Sequence, residues 1–256
     1  MRFSSAGGDP DDAVASLHDA GATRAVIAHL YKPDSASADP MGDVAASNRW
    51  VCVLAQQHPE FVPYVCADPV VAPGRLVVDH VRDMVENHGA RGVKLHPIVQ
   101  RLDLADASSW PLFEMAEGMG LPVLSHSGTS RAGSSRSDPD AFRPVLAAFP
   151  RLRLLLAHLG GGEWRRAVAL AHDYPDVMFD CCEIIHWLGA PRAPSPVEFV
   201  TLLRSIGVNR VMAGSDFPWY DIASTIDEIA ALPGLTDGER SAIVGENAAT
   251  FLSANP

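Results

Sequence analysis

No apolar run in this chain of 256 residues reaches the ~18 residues that cross a bilayer, and the first residues lack the basic-then-apolar pattern of a secretory leader. No membrane partner is expected, and a cytoplasmic protein is. Cysteine is scarce. Cys52, Cys66, Cys181 and Cys182 are the whole set, and none has the CxxC spacing of a zinc or redox motif. All four sit in apolar segments and read as reduced core residues. Basic residues are in deficit: 20 Lys and Arg against 31 Asp and Glu give a net charge of −11. That is the wrong sign for a nucleic-acid partner, whose phosphates demand a basic surface. It leaves a small-molecule substrate open, because a cleft can be locally basic inside an acidic protein. No long linker or low-complexity stretch divides the chain, and its length matches one barrel domain of roughly 250 residues, here residues 1–256.

What is present is a regular alternation. Buried strand patterns fall at residues 25–30, 61–67, 92–96, 121–126, 152–158, 177–182 and 210–215. Helical patterns fall at 11–20, 48–57, 76–87, 110–118, 143–149, 163–174 and 196–205. Asp9-Pro10 and Asp138-Pro139 mark helix starts, and Gly21, Gly89, Gly120 and Gly207 mark helix stops before a new strand. Continuous apolar strands alternating with helices predict an α/β fold with a parallel sheet covered on both faces. The predicted class is a (β/α)8 TIM barrel lacking its first strand or carrying a degenerate one, because the chain opens on the helix that would follow strand one. Residues 1–6 could supply a short strand. Otherwise the true start lies upstream, or a partner covers the gap, which leaves a homo-oligomer open.

Three strands end alike: Leu121-Pro-Val-Leu-Ser-His126, Leu154-Leu-Leu-Ala-His158 and Arg210-Val-Met-Ala-Gly-Ser-Asp216. The carboxyl ends of buried parallel strands are where barrel enzymes keep their chemistry. One such histidine would read as a satisfied core residue; three repeats predict a site. Neutral imidazole and carboxylate suit a divalent metal, zinc first, which lowers the pKa of bound water toward ~7. The predicted metal ligands are His126, Asp216 and His158, with His158 and Asp216 also the catalytic proton carriers. Lys94 and His96, two apart on one strand, share a face and are candidates for substrate binding. Arg131, in the loop after His126, could hold a substrate carboxylate. His186, beside Trp187, is a candidate pocket wall. His29 ends its strand near the site rim. Asp180 and Cys182 share a face of their strand. His18, His58, His80, His88 and His172 fall on helices or their ends and read as surface residues. Gly160-Gly-Gly162 reads as a close turn under the site.

The chain resembles the amidohydrolase superfamily, specifically the amidohydrolase-2 group with its aminocarboxymuconate semialdehyde decarboxylase-like enzymes. The resemblance rests on Phe61-Val-Pro-Tyr-Val-Cys-Ala-Asp-Pro69, Gly92-Val-Lys-Leu-His-Pro97, Gly120-Leu-Pro-Val-Leu-Ser-His126, the run from Phe149 to Gly161, Ala213-Gly-Ser-Asp-Phe-Pro-Trp219 and Gly245-Glu-Asn-Ala248. It implies a (β/α)8 barrel in which His126 and Asp216 match metal ligands. His158 matches a histidine that either binds a second metal or acts as acid and base beside a single one. The group's His-x-His on strand one has no counterpart: the first histidine is His18, inside a predicted helix. Weak metal retention is therefore expected, with His96 the first substitute ligand. The implied activity is metal-dependent hydrolysis of a small ester, lactone or amide. The alternatives are a non-oxidative decarboxylase on the same scaffold, or a metal-free binding or scaffold protein that has lost the first-strand ligands.

Overall fold

The computed structural model describes residues 8–29, 37–128 and 136–253. The chain divides into two compact units, Arg24–Leu155 and Met1–Thr23 with Leu156–Asn255. Residues 1–6, the candidate short strand, lie outside the described residues, as does Arg131. Among the described residues no strand precedes the first helix, Pro10–Asp19. That helix starts as the sequence predicts: Asp9 accepts the Asp11 N–H at 2.9 Å, and Pro10 takes the first turn, where no N–H is needed.

In the unit of residues 24–155 the strands are β1 (Ala25–Ile27), β2 (Phe61–Cys66), β3 (Gly92–Leu95) and β4 (Val123–Ser125). They run parallel, each beside the next in sequence, with Ala25 opposite Phe61, Tyr64 opposite Gly92 and Val93 opposite Val123. Every residue of β2 is buried, as expected for a strand covered on both faces. Helices Pro40–Gln57 and Arg75–His88 supply Val44, Val51, Val77, Val81 and Met84 to this core. The second of these helices stops at Gly89 in the left-handed conformation, φ 81°, which glycine adopts without a Cβ clash. The first begins eight residues before the predicted start at 48. Asp39 caps it through the Gly42 N–H and Pro40 occupies its first turn, and these two signals outweigh the weak apolar period around Gly42.

β5 (Leu154–Leu156) closes that unit, and β6 (Met178–Asp180) and β7 (Val211–Met212) belong to the other. β6 and β7 are parallel, with Phe179 opposite Val211. Helices Trp164–Asp173, Pro196–Ile206 and Ile222–Ala230 bury Ala167, Leu170, Phe199, Leu203 and Ile229. Arg210 ties this unit's strand entry to its helices: the guanidinium donates to the carbonyls of Ala171, Tyr174 and Val177 at 2.8–3.1 Å.

All seven strands end one to three residues sooner than predicted, and two of them show why. β5 stops at Leu156 rather than His158, because the chain turns left-handed at His158. β7 stops at Met212 rather than Ser215. There the Ala213 N–H donates to the Ile243 carbonyl at 2.8 Å, so the ladder gives way to a contact with the C-terminal helical segment. No helix among the described residues is long and apolar enough to cross a membrane.

Candidate active site

The carboxyl ends of β2, β3 and β4 carry Asp68, His96 and His126. The His96 and His126 rings stack face to face, with centroids 4.0 Å apart and planes 7° from parallel. His96 is held from both sides. Its N–H donates to Gln100 Oε1 at 2.8 Å, and its Nδ1 accepts the Val99 N–H at 3.4 Å, capping the short helix Pro97–Gln100. Gln100 is itself buried and donates to the Ala67 carbonyl at 2.6 Å. Burial, with the positive charge of Lys94 second, pulls the His96 imidazole down to about 4. The ring is therefore neutral at pH 7. Its Nδ1 is an acceptor, so the proton sits on Nε2, which makes His96 a hydrogen-bond donor outward rather than a lone-pair ligand. Lys94 and His126 are both half-buried. Asp68 is a residue the sequence reading passed over. It is 2% exposed, its Oδ1 accepts the Val70 and Val71 N–H groups, and its Oδ2 has no partner. Burial raises its carboxyl above the ordinary range.

In the other unit His158 lies two residues past β5 and is buried. His158 and Leu159 both take left-handed backbone, φ 66° and 48°, followed by Gly160 and Gly161 at 78° and 55°. For side-chain-bearing residues each such conformation costs about 1–2 kcal/mol and persists only where neighbours enforce it. Asp180, at the end of β6, does so: its Oδ1 accepts the His158 N–H at 2.8 Å and the Cys182 N–H at 3.0 Å. The His158 ring places Nδ1 3.4 Å from the Cys182 carbonyl oxygen and 3.7 Å from Glu183 Oε2. A carbonyl only accepts, so Nδ1 carries the proton in that bond. Ligand atoms of His158, Asp180 and Cys182 lie within 4.8 Å of one another. Burial, then the charges of Asp180 and Asp216, hold the Cys182 thiol well above its ordinary range. Asp216 is exposed, four residues past β7, at φ 54°.

His186 is packed rather than open. Its ring stacks on Tyr220 at 4.6 Å, its Nε2 is 3.0 Å from Thr225 Oγ1, and Trp187 Nε1 donates to the Tyr220 hydroxyl at 3.2 Å. Its Nδ1 is buried without a partner, and burial lowers its pKa. Of the histidines expected at the surface, His18 and His172 are exposed, whereas His58, His80 and His88 are half-buried; His80 Nε2 lies 2.9 Å from Asn48 Nδ2, a residue of the helix packed against β2. His29 is exposed and bonded to Ser47 Oγ at 2.6 Å. The four cysteines are free and buried, as expected.

The model of a family described as Amidohydrolase matches residues 5–253. The chain belongs to the amidohydrolase family. Solved structures share the fold of this amidohydrolase. An uncharacterised TIM-barrel protein from Bordetella bronchiseptica has a TM-score of 0.78 at 19% identity, covering 94% of this chain and 82% of that one. A 2,6-dihydroxybenzoate decarboxylase from Rhizobium has 0.75 at 15%, covering 94% and 87%. A 5-carboxyvanillate decarboxylase from Novosphingobium aromaticivorans, solved with bound manganese, has 0.73 at 13%, covering 94% and 80%. No curated protein sequence matches the chain. The amidohydrolase is thus an α/β protein of TIM-barrel type, the class its strand–helix alternation predicts. In the unit that holds β6 and β7 the donor chemistry fits a divalent cation: the imidazole of His158, the carboxylate of Asp180 and the thiol of Cys182 match what such ions take from proteins.

Proposed function

We propose that this amidohydrolase is a metal-dependent enzyme that hydrolyses a small ester, lactone or amide. The observation that carries the reading is the pinned His158, a buried imidazole whose strained main chain is fixed by a carboxylate. An imidazole oriented in this way is placed for proton transfer or metal ligation. A metal at the strand-end ligands would supply Lewis-acid polarisation of the substrate or of water. The chain's own groups would do the rest. Lys94, half-buried with no ion pair among the described residues, would attract an anionic substrate group, and neutral His96 would donate a hydrogen bond from Nε2. Asp216, exposed beyond β7, is open to solvent for proton exchange.

Non-oxidative decarboxylation is the second reading. It is favoured by the decarboxylases among the structural relatives and by Lys94, a cation suited to a substrate carboxylate. Metal-supplemented protein incubated in ¹⁸O-water with a panel of lactones, esters, amides and hydroxybenzoates separates the two. Isotope in the product establishes hydrolysis, and carbon dioxide release establishes decarboxylation. Neither outcome across the panel, with metal bound, removes both and leaves the binding or scaffold alternative.

A further inference from the structure

A set of donors of three chemical kinds converges beside His158. We propose that His158, Asp180 and Cys182 form a cation site with nitrogen, oxygen and sulfur ligands, suited to Zn²⁺ or Co²⁺. This deepens the function proposed above and rests on it for the presence of a divalent metal; it makes His158 a ligand rather than a proton carrier.

The geometry supports the assignment at three points. The three ligand atoms lie within 4.8 Å of one another, a span that small side-chain rotations reduce to the separation of ligands at ~2.0–2.3 Å from one ion. All three residues are at most 8% exposed, so the donors are preorganised by the core. The supporting contacts are those of a ligand set. His158 donates Nδ1–H to the Cys182 carbonyl, with the Glu183 carboxylate 3.7 Å away, which fixes the tautomer and makes Nε2 the nitrogen able to ligate, as in metal-bound histidines. The Asp180 carboxylate is fixed in orientation by two main-chain N–H groups on Oδ1.

Space agrees with geometry. Gly214 faces the cluster: a Cβ there would come 3.2 Å from Cys182 Cβ and 3.5 Å from Asp180 Cγ, so the position is kept free of side chain. On binding, the Cys182 thiol would release its proton to solvent and the thiolate sulfur would take the metal, with no redox change. Three protein ligands leave one tetrahedral position open, the arrangement of a catalytic zinc site rather than a structural one.

Cobalt(II) added to the full-length, metal-stripped protein is the test. We expect one Co²⁺ per chain with a thiolate-to-cobalt charge-transfer band in the near ultraviolet. Cys182→Ser should abolish the band and weaken Co²⁺ binding by about 100-fold or more, while Cys181→Ser, one residue away, keeps both. Stoichiometric Co²⁺ without the band, or a band that survives Cys182→Ser, would overturn the site while leaving metal-dependent chemistry intact. No Co²⁺ uptake would overturn it too. A band with no turnover on any substrate would sink the enzymatic reading and leave the site standing. Should Cys182→Ser fail to fold, X-ray absorption of the unaltered zinc-loaded protein decides: one sulfur neighbour supports the site, none refutes it.

Discussion

Acidification should destabilise this protein through His96 in a window set by the fold. The ordinary value of the imidazole is 6.5, and burial beside Lys94 brings it to about 4 in the native state. Between those pH values the unfolded chain binds a proton that the native chain refuses. The stability that comes from keeping His96 neutral is thus complete above 6.5 and is lost as pH falls toward 4. At about 1.4 kcal/mol per pH unit the loss amounts to about 2 kcal/mol by pH 5 and about 3 kcal/mol by pH 4. The cost has a visible source: a charged ring would face the His126 ring at 4.0 Å and would lie near the Lys94 ammonium. Urea unfolding of the unaltered protein and of His96→Gln at pH 7 and pH 5 isolates the term, because glutamine does not titrate. The unaltered protein should lose about 2 kcal/mol more than the variant over that interval. The His96 ring proton, followed by NMR, should titrate with a midpoint near 4. A midpoint near 6.5, or equal pH sensitivity in the variant, would refute the assignment of a buried neutral imidazole.

Gly92→Ala should cost about 3 kcal/mol and lower Tm by about 6–12 °C, because the new Cβ would sit 2.5 Å from the ring of fully buried Tyr64; Tyr64→Leu in the same chain should restore most of the loss, and a neutral single variant would disprove the close approach. Asp180→Ala strands the N–H groups of His158 and Cys182 and should destabilise by about 2–4 kcal/mol, whereas Asp180→Asn keeps the acceptor and should cost less than half as much in thermal denaturation. His158→Asn should strip the metal as well as turnover; metal retained with a roughly 10²–10⁴-fold loss of turnover would instead make His158 the proton carrier.

The fold was largely legible in the sequence because it is written in short-range terms. Apolar runs of strand length, Asp-Pro helix starts and glycine stops are local signals, and β2 and the helix Trp110–Gly118 follow them. What escaped is non-local. The start at Pro40 was masked by a weak apolar period, although Asp39-Pro40 was there to be read. The glycines at 160–162 signalled a turn, but nothing local placed its left-handed start at His158 and Leu159, a conformation leucine disfavours; Asp180, 22 residues later, holds the His158 N–H there. The same long-range dependence hid the part played by Asp180 and the unpartnered oxygen of Asp68. His126, His158 and Asp216 were recognisable as candidates from their place after strands. Their surroundings, a stacked imidazole for His126 and a carboxylate and thiol for His158, required coordinates.

Asn48 carries a consequence for the end of β2. β1 pairs with β2 only as far as Pro63, so the last residues of β2 extend past their neighbour. At Cys66 the Asn48 amide takes over the role of a strand: its oxygen accepts the Cys66 N–H and its nitrogen donates to the Cys66 carbonyl, both at 2.8 Å, and His80 steadies the amide. A side chain thereby satisfies two buried main-chain groups that β1 leaves without a partner. Loss of that amide would strand a donor and an acceptor inside the core, two residues before Asp68, so Asn48 finishes the sheet at the strand end that carries the candidate site.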